Sequence, residues 1–446
     1  MSRAASLLAI LLTAPALAGQ PLRETPDPRA VYDVRADVTI EGTVRTHAGQ
    51  GQETTMPLKA SALFRFDEKP LDAAADPAVR RALRVYRDAK AQTLVGEHRV
   101  TTTLPEALRR VVVAGRTDGP VRFSLDGLMT REAVDLLDMP GDPLAVTAAM
   151  PDGSVEVGGS FRVPEWAAQM LCGMDVLTKS TLAGRLTSPG VVTLSGSIEG
   201  ARLGAAVTTN VSGNVRVDPS GRMTGADLRY EESAAIGTIS PGVDAVTTVR
   251  LTRTPSRATV DDSGVPPTVP PAALKLYLDA PSWGVRLLHD RDWHVFYASP
   301  DGEPAVLILR LLENGKLLSQ VNVAKLRPAA AGRGASVEEF EADIKQSLGT
   351  RFGTIVDKAQ RRRDDGVVVT RVVAAGQFHY TEGTGEAKQM KSRPMQWTYY
   401  LAVHPDGRQL SCVFAHEPDA RDRLAGRDES LVDAIEFFAP RVAAAN

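Results

Sequence analysis

Apolar and polar residues alternate with a period of two along most of residues 31–254, which is the pattern of strands with one buried and one exposed face. The alternation is clearest at four apolar positions near the start of this stretch: Val34, Ala36, Val38 and Ile40. Further along, runs rich in Val, Thr and Ser are separated by turn sequences such as Ser188-Pro189-Gly190 and Ser240-Pro241-Gly242. The pattern predicts a curved antiparallel sheet that ends in long hairpin strands.

Three stretches within this region have helical periodicity instead: residues 76–90, 130–137 and 163–174. The first repeats apolar side chains at Val79, Leu83 and Tyr86. The second begins at Thr130, a favourable capping residue, and has Glu132 in its first turn. We therefore expect a few helices on the open face of the sheet.

The clearest break in the chain is residues 256–271, where four prolines lie within six residues. Proline cannot continue a helix or a central strand, and such a run favours an extended connector. The linker divides a β-rich domain over residues 31–255 from a second domain over residues 272–440. Residues 19–30 are also rich in proline and are predicted to form a loose leader.

The second domain has a mixed order of elements, so the predicted fold class of the whole chain is α+β. Strands are predicted at residues 284–288, 293–299, 305–312, 318–326, 353–359, 366–375, 395–404 and 409–416. A helix begins after Ser336, which forms a capping box with Glu339. A closing helix is predicted over residues 419–438, and a polar insert over residues 381–393.

This order of elements resembles the PsbP-like fold family. The landmarks are the strand that starts at Asp292-Trp293, the amphipathic helix after Ser336 and the terminal helix after the Glu417-Pro418-Asp419 turn. The resemblance implies an α/β/α sandwich with an antiparallel sheet. It also implies a non-enzymatic role, because members of the family are generally adaptors and binding proteins. No functional residue is carried over, since no ligand position of the family matches a position here, and the insert at residues 381–393 departs from the family's common core.

The amino terminus has the pattern of a cleavable signal peptide over residues 1–18. Arg3 precedes an apolar stretch, and Ala16 and Ala18 form the small-x-small pattern that precedes cleavage before Gly19. A transmembrane anchor needs roughly 20 apolar residues, and this stretch is shorter. No second stretch of spanning length follows it. We expect an exported, soluble protein, periplasmic or extracellular, that does not span a membrane.

Charge argues against nucleic acid as a partner. Lys and Arg number 52 against 54 Asp and Glu, so no basic field exists to hold a phosphate backbone. The two cysteines, Cys172 and Cys412, lie on either side of the linker. In an oxidising compartment they could form one bridge between the domains. Because Cys is also a common small core residue, two buried thiols are the favoured interpretation.

Sequence signatures of the common enzyme classes are absent. Gly196-Ser197-Ile198-Glu199-Gly200 has its Ser in the wrong place for a nucleophile elbow. His416-Glu417 is followed by Pro418, which would break the helix that a zinc-binding His-Glu-x-x-His motif requires. No glycine-rich nucleotide-binding loop occurs. We therefore assign no catalytic, cofactor-binding or metal-binding residue and expect a protein that is not an enzyme.

Five residues are weak candidates for a ligand surface: Trp397, Tyr399, Tyr400, His404 and His416. Trp397 and Tyr399 share one face of a predicted strand and Tyr400 lies on the other, so burial under both outer layers of a sandwich is the favoured alternative. His404 and His416 lie near the two ends of a predicted hairpin, where pairing could bring them together around a metal ion. Solvated histidines at strand ends are the favoured interpretation.

Three functions are compatible with these patterns. The leading hypothesis is an extracytoplasmic, non-enzymatic binding or envelope scaffold protein with an unidentified envelope protein as partner. The alternative is a carrier of a small apolar or lipid ligand inside the curved sheet, since the amino-terminal pattern is similar in general shape to exported half-barrel carriers of lipoproteins and lipids. That alternative requires a large apolar cavity. A weaker alternative is a hydrolase whose Ser, His and Asp residues converge from distant positions.

Overall fold

The computed structural model describes residues 19–48, 52–73, 76–115, 120–331, 333–382 and 389–439. The predicted signal peptide, including Ala16 and Ala18, lies outside the described residues, whereas Gly19 lies within them. The described chain consists mostly of strands, arranged in antiparallel sheets that do not close on themselves. The expectation of a β-rich protein is confirmed.

Fifteen strands build the amino-terminal half of the molecule. They are β1 (Gln20–Pro21), β2 (Tyr32–Ala48), β3 (Gln52–Pro70), β4 (Arg81–Val95), β5 (His98–Thr103), β6 (Arg110–Ala114), β7 (Val121–Ser124), β8 (Ser154–Val155), β9 (Ser160–Arg162), β10 (Val176–Ser180), β11 (Ala183–Ser188), β12 (Val191–Arg202), β13 (Ala205–Val217), β14 (Met223–Ala234) and β15 (Gly242–Pro255). Thirteen of them form one large sheet in the order β7-β6-β4-β3-β2-β15-β14-β13-β12-β11-β9, with β5 beside β4 and β10 beside β12. β1 and β8 pair with each other only.

One face of the large sheet is apolar and lies under three helices. In the strand register, Val38 lies opposite Ala62 on β3 and Val249 on β15. The covering helices are α1 (Arg131–Leu137), α2 (Pro143–Ala148) and α3 (Glu165–Cys172). The predictions of α1 and α3 are confirmed, and Thr130 caps α1 by accepting a hydrogen bond from the amide of Ala133. The sequence pattern did not predict α2, because its six residues are too few to show a period.

The helix predicted over residues 76–90 is wrong. Only Pro77–Val79 forms a helical turn, and from Arg81 the chain continues as β4, which pairs with β3 and β6. Leu83 and Tyr86 are both buried but lie on opposite faces of the sheet, in two separate apolar clusters. Because β4 buries side chains on both faces, its apolar spacing imitated the period of a helix.

Residues 19–30 are held against the rest of the chain, so the expectation of a loose leader is wrong. Gln20–Pro21 pairs with Ser154–Val155, and Leu22 is fully buried in the main core. Glu24 forms an ion pair with Arg253 at 2.9 Å. The partners of these side chains lie on strands far away in sequence, which composition does not reveal.

The proline-rich residues 256–271 form no strand and lie on the face of the large sheet opposite the helices. Val260 is buried there beside Leu83 and Phe123. Arg81 donates a hydrogen bond to the carbonyl oxygen of Pro266 at 2.8 Å. A short helical turn, Pro271–Leu274, leads into the next part of the chain.

Ten strands build the carboxyl-terminal half. They are β16 (Leu276–Ala280), β17 (Val285–His289), β18 (Trp293–Ser299), β19 (Val306–Glu313), β20 (Lys316–Lys325), β21 (Phe352–Arg362), β22 (Val368–Glu382), β23 (Gln389–Val403), β24 (Gln409–His416) and β25 (Ile435–Phe437). Seven form one antiparallel sheet in the order β18-β19-β20-β24-β23-β22-β21, and β16, β17 and β25 form a small one. α4 (Val337–Leu348) covers one face of the seven-stranded sheet. The small sheet, with α5 (Arg421–Leu424) and α6 (Arg427–Asp433), covers the other.

In this half the structure confirms one prediction made from local sequence signals and contradicts another. The capping box of Ser336 with Glu339 is present at the start of α4, as predicted. The closing helix predicted over residues 419–438 is wrong as one element. Ala425 and Gly426 have φ values of 48° and 76°, which separate α5 from α6. Ile435 then pairs with Leu287 as part of a strand.

Part of the polar insert predicted at residues 381–393 extends the β22–β23 pair, since residues 381–382 continue β22, residues 389–393 begin β23, and Glu382 pairs with Gln389. The rest of the insert, residues 383–388, lies outside the described residues. Within the described residues, the helices are all too short or too polar to cross a membrane.

Candidate functional site

A cleft of about 610 Å³ lies where the helices of the large sheet meet the turn between β17 and β18. Its lining includes residues of α1 and α3, the end of β12 and the β17–β18 turn. The polar members are Arg122, Arg131, Asp135, Asp138, Gln169, Asp175, Arg202, Asp290, Arg291, Asp292 and His294. A cavity of this size suits a small-molecule ligand.

Local structure fixes the walls of the cleft. The Thr130 cap starts α1 and places Arg131 in its first turn. On the same side, α3 ends at Gly173, whose φ of 59° is the left-handed conformation of a helix cap. On the opposite side, the turn that connects β17 to β18 presents Asp290 and Arg291. The cleft is thus built between two halves of the chain that are far apart in sequence.

Hydrogen bonds from arginines to backbone carbonyls join the two walls. Arg131 donates to the carbonyl oxygen of Arg291 and, at 3.3 Å, to that of Trp293. In the reverse direction, Arg291 donates to the carbonyl oxygen of Arg122 at 2.6 Å. Carbonyl acceptors satisfy the N–H groups but carry no full negative charge. The positively charged side chains of Arg131 and Arg291 therefore lie together where the two walls meet.

Arg291 has no acidic partner among the described residues. Its other hydrogen bonds also end on carbonyl oxygens, those of Leu274 at 3.2 Å and Ala273 at 3.3 Å. Burial, together with the nearby charges of Arg131 and Arg122, lowers the pKa of Arg291 to about 10. The side chain remains cationic at neutral pH. It is a partly buried cation that faces the cleft without a counterion.

The other three arginines of the cleft do have acidic partners. Arg122 lies 3.0 Å from Asp138 and 3.2 Å from Asp142. Arg202 forms an ion pair with Glu232. Arg131 lies 3.7 Å from a carboxylate oxygen of Asp135, which is four residues further along α1. Arg291 is thus distinct from its neighbours.

Depth separates the two signs of charge in the cleft. The Arg122 side chain is 4% exposed and that of Arg131 is 18% exposed, whereas Asp138 and Asp135 are 59% and 63% exposed. Water screens exposed charges and weakens their interactions, but it screens buried charges much less. Near Arg131 and Arg291 the deeper charges are therefore positive despite the aspartates on the rim, whereas buried Asp142 balances the charge of Arg122.

His294 lies among these cations as a neutral group. Burial, Arg131 and His289 together lower the pKa of His294 to about 3. At neutral pH its imidazole is therefore uncharged and can donate one hydrogen bond and accept another. It adds a polar but neutral contact beside these cations.

Behind Arg122, a buried ion network holds the floor in place. Arg84 donates to both carboxylate oxygens of Asp142, at 2.7 and 2.8 Å, and forms an ion pair with Glu68 at 3.0 Å. Glu68 also accepts a hydrogen bond from Arg253 at 3.1 Å. Burial raises the pKa of Asp142, but Arg84 and Arg122 outweigh it and hold the value well below its usual range. The network positions Arg122.

The three aromatic residues predicted from the sequence as weak surface candidates are buried, which is the alternative that the sequence favoured. Trp397 and Tyr399 lie under α4, and the Tyr399 ring meets that of Phe340 edge to face at 6.5 Å. Tyr400 lies on the opposite face of the sheet, where its hydroxyl donates to Asp428 at 2.9 Å. These side chains contribute to two cores and do not meet in one exposed surface.

The two candidate histidines are far apart. His416 pairs with Gln396 in the β23–β24 ladder, whereas His404 follows the last residue of β23 at the other end of the hairpin. His404 contacts Asp406 at 2.8 Å, and His416 contacts the carbonyl oxygen of Glu417 at 2.8 Å. The suggestion that pairing brings them together is therefore wrong. Nowhere in the described ranges do three or more His, Cys, Asp or Glu side chains group as metal ligands.

Both cysteines are free thiols, as the sequence favoured. Cys172 lies at the end of α3 and Cys412 in the middle of β24, where it is fully buried. Burial raises the pKa of each thiol to about 12.

An apolar carrier would need a large apolar cavity under the large sheet. That space is filled by the core between the sheet and α1, α2 and α3. Two open grooves, of about 480 and 320 Å³, run along β2, β3 and β4, and their lining includes the polar residues Asp37, Thr39, Ser61, Lys90 and Gln92. Both grooves are open to solvent and are not enclosed apolar cavities.

A hydrolase assembled from distant residues would need a nucleophile near a base. The lining of the cleft supplies His294 and several aspartates, but its described members include no Ser, Thr or Cys. The groups that converge there are cations and hydrogen-bond donors.

Sequence reasoning missed the arginines that define this cleft. Arg291 lies in a stretch that the sequence identified as a turn, His289-Asp290-Arg291-Asp292, and a charged turn is ordinarily solvated. Arg122, Arg131 and Arg202 carry no motif. Their proximity depends on the docking of two distant parts of the chain, which leaves no local signal.

No model of a known protein family matches the sequence, and no curated protein matches it. Among solved structures, cyanobacterial PsbP (CyanoP) from Synechocystis sp. PCC 6803 is similar over 41% of this chain and 99% of its own, with 13% identity and a TM-score of 0.25. The MucA/MucB complex of Pseudomonas aeruginosa matches 92% of this chain and 94% of its own, with 11% identity and a TM-score of 0.16. OccK2 (OpdF) of Pseudomonas aeruginosa matches 86% and 96%, with 8% identity and a TM-score of 0.12. At these scores the likenesses carry no argument.

Proposed function

We propose that this protein is an exported, non-catalytic binding protein that holds an acidic ligand in the cleft between its two halves. The observation that carries the proposal is Arg291, a cation that faces the cleft and whose partners among the described residues are all carbonyl oxygens. An anion would supply the missing negative charge.

The chemistry of the floor defines the ligand class. Guanidinium groups present planar sets of N–H donors that match carboxylate and phosphate oxygens. Arg131 and Arg291 lie together, and the neutral imidazole of His294 lies near them. A carboxylate or phosphate group on the ligand fits this set of donors.

The proposal also includes export from the cytoplasm and a PsbP-like fold for the second domain. The apolar stretch ending at Ala16 and Ala18 supports export, and the absence of a lipid-attachable Cys at Gly19 supports a soluble protein in the periplasm or outside the cell. The helix, sheet and second layer formed by residues 272–439 support a PsbP-like α/β/α domain. An envelope protein that presents an acidic group would meet the same cleft.

Thermal unfolding of the full chain with added anions tests this function. A ligand that binds only the folded state raises the midpoint of unfolding. We expect acetate, citrate or inorganic phosphate to stabilise the wild type and the Arg250→Gln variant but not Arg291→Gln. Arg250 is an exposed arginine on β15 and serves as the matched control.

Two outcomes would overturn the proposal. One is that no carboxylate or phosphate compound stabilises the wild type. The other is that the same compound stabilises Arg291→Gln as strongly as it stabilises Arg250→Gln.

A further inference from the structure

A second cavity of about 90 Å³, here called the chamber, adjoins the cleft. The two cavities share five lining residues: Arg122, Asp138, Met170, Gly173 and Arg202. The chamber continues between α3 and the sheet, where β13, β14 and β15 contribute Thr209, Tyr230 and Thr247. A ligand in the cleft would therefore lie beside a second, smaller space.

Two hydroxyl groups in the chamber donate to no acceptor among the described residues. Thr209 is 2% exposed and Tyr230 is 5% exposed; Oγ1 of Thr209 makes no hydrogen bond, and the phenol oxygen of Tyr230 meets only the backbone amide of Gly141. Buried polar groups in folded proteins are almost always paired. Both residues line the chamber, so a group that enters it would be their partner.

The charged side chains that line the chamber are paired with one another. Glu232 forms an ion pair with Arg202 at the boundary with the cleft, and Arg122 lies 3.0 Å from Asp138 and 3.2 Å from Asp142. Burial raises the pKa of Tyr230 well above its ordinary value, with the Gly141 amide acting weakly in the opposite direction, so the hydroxyl stays protonated. The thiol of Cys172 is neutral for the same reason. A second charged group would have no counterion there, and an apolar group would leave both hydroxyls unpaired.

We propose that this chamber is a second subsite that takes a neutral, hydroxyl-bearing part of the ligand. The inference rests on the proposed function, because it assigns the acidic end of the same molecule to Arg131 and Arg291. The ligand class is then a hydroxylated acid, such as a sugar acid. Hydroxyl groups suit the chamber because each can donate to one partner and accept from another, as Thr209 and Tyr230 require.

Calorimetric titration of the full chain separates the two subsites. The probes are gluconate and lactobionate, two hydroxyl-rich acids of different length, and hexanoate, which has six carbons like gluconate and no hydroxyl group. We expect at least one hydroxylated acid to bind the wild type about tenfold or more tightly than hexanoate, since a site built for hydroxyls rejects an analogue that lacks them. Glucose, which lacks the acidic group, should bind more weakly than gluconate.

Two variants remove the hydroxyls with little change in shape. Tyr230→Phe and Thr209→Val should each weaken binding of the hydroxylated acid about tenfold and leave hexanoate affinity unchanged. Tyr399→Phe makes the same chemical change in a separate core and should alter neither affinity. Because the buried Tyr230 hydroxyl donates to no acceptor among the described residues, Tyr230→Phe should fold with an unchanged or higher midpoint of unfolding.

The results distinguish failure of the chamber from failure of the cleft. If hydroxylated acids and hexanoate bind equally, or if Tyr230→Phe binds the hydroxylated acid like the wild type, water alone fills the chamber and the inference is overturned. If none of the acids binds the wild type, the cleft proposal fails and this inference fails with it. Stronger binding of hexanoate than of gluconate would point to an apolar chamber and would also overturn it.

Discussion

Arg131 and Arg291 carry like charges, yet the guanidinium group of Arg131 donates a hydrogen bond to the backbone carbonyl oxygen of Arg291. The contact places two cations at one end of the cleft and joins α1 to a turn that lies 160 residues later in the chain. Because a carbonyl dipole neutralises a cation only in part, Arg291 keeps a positive charge that no acidic side chain among the described residues pairs with. An anion in the cleft would stabilise this arrangement.

Removing Arg131 should loosen the junction between the two halves. Arg131→Ala loses hydrogen bonds to the carbonyl oxygens of Arg291 and Trp293, and hydrogen bonds of charged groups contribute about 2 kcal/mol each. We expect the free energy of unfolding, measured with urea, to fall by about 2 kcal/mol or more. Arg109→Ala is the control, because Arg109 has only a 4.0 Å contact with Glu106. Equal losses in the two variants would show that the junction contacts contribute nothing.

Stability should depend on pH through His294. Burial, Arg131 and His289 lower its pKa to about 3 in the folded protein, whereas an unfolded histidine titrates near about 6.5. Between these values the unfolded chain binds a proton that the folded chain does not, so stability rises with pH and is lost as the pH falls below about 6.5. His294→Gln should reduce the slope of unfolding free energy against pH between about 4 and 6.5.

The matched control for that slope is His98→Gln, because His98 is exposed on β5. This variant should keep the full slope of the wild type. Superimposable curves for the wild type and His294→Gln would mean that His294 titrates alike in the folded and unfolded states. NMR titration of the His294 imidazole would then measure its pKa in the folded protein directly.

The elements that the sequence predicted well depend on neighbours in sequence. The strands at Trp293–Ser299 and Gln409–His416 occur as expected, since turn residues border both. The helix after Ser336 follows from a cap and an apolar spacing that lie within thirteen residues. Such signals act over one or two turns of chain and need no tertiary context.

The features that the sequence predicted wrongly or did not predict depend on contacts between distant residues. Leu83 and Tyr86 in β4 are covered on opposite faces by different parts of the chain, so their spacing resembled that of a helix. The cleft is a stronger case, because Arg122, Arg131 and Arg291 come together only when the β17–β18 turn docks on α1. No motif marks an arginine whose function depends on the lack of an acidic partner.

The buried network behind Arg122 should be sensitive to the loss of one charge. Asp142→Asn keeps the shape of the side chain but leaves Arg84 and Arg122 with one carboxylate fewer in a buried site. Breaking one partner of a buried ion pair typically costs about 3–5 kcal/mol. Urea unfolding should show a loss of that size. Asp37→Asn, at an exposed pair with Arg35, should change stability little.

The capping box of α4 should stabilise the carboxyl-terminal half independently of the cleft. Ser336 accepts a hydrogen bond from the amide of Glu339 at 3.1 Å, and the Glu339 carboxylate accepts one from the amide of Ser336 at 2.8 Å. Ser336→Ala should lower the free energy of unfolding by about 1 kcal/mol, because one amide at the helix start loses its partner.

Ser336→Asp is the matched variant that tests the cause of this loss. Aspartate also caps helices, and its negative charge interacts favourably with the helix dipole, so stability should stay near that of the wild type. Thermal unfolding and anion binding should be measured together on both variants. Because α4 covers the face of the sheet away from the cleft, Ser336→Ala should bind anions with unchanged affinity. A loss of binding in that variant would mean that the cleft depends on the packing of α4, which the separate apolar clusters on the two faces argue against.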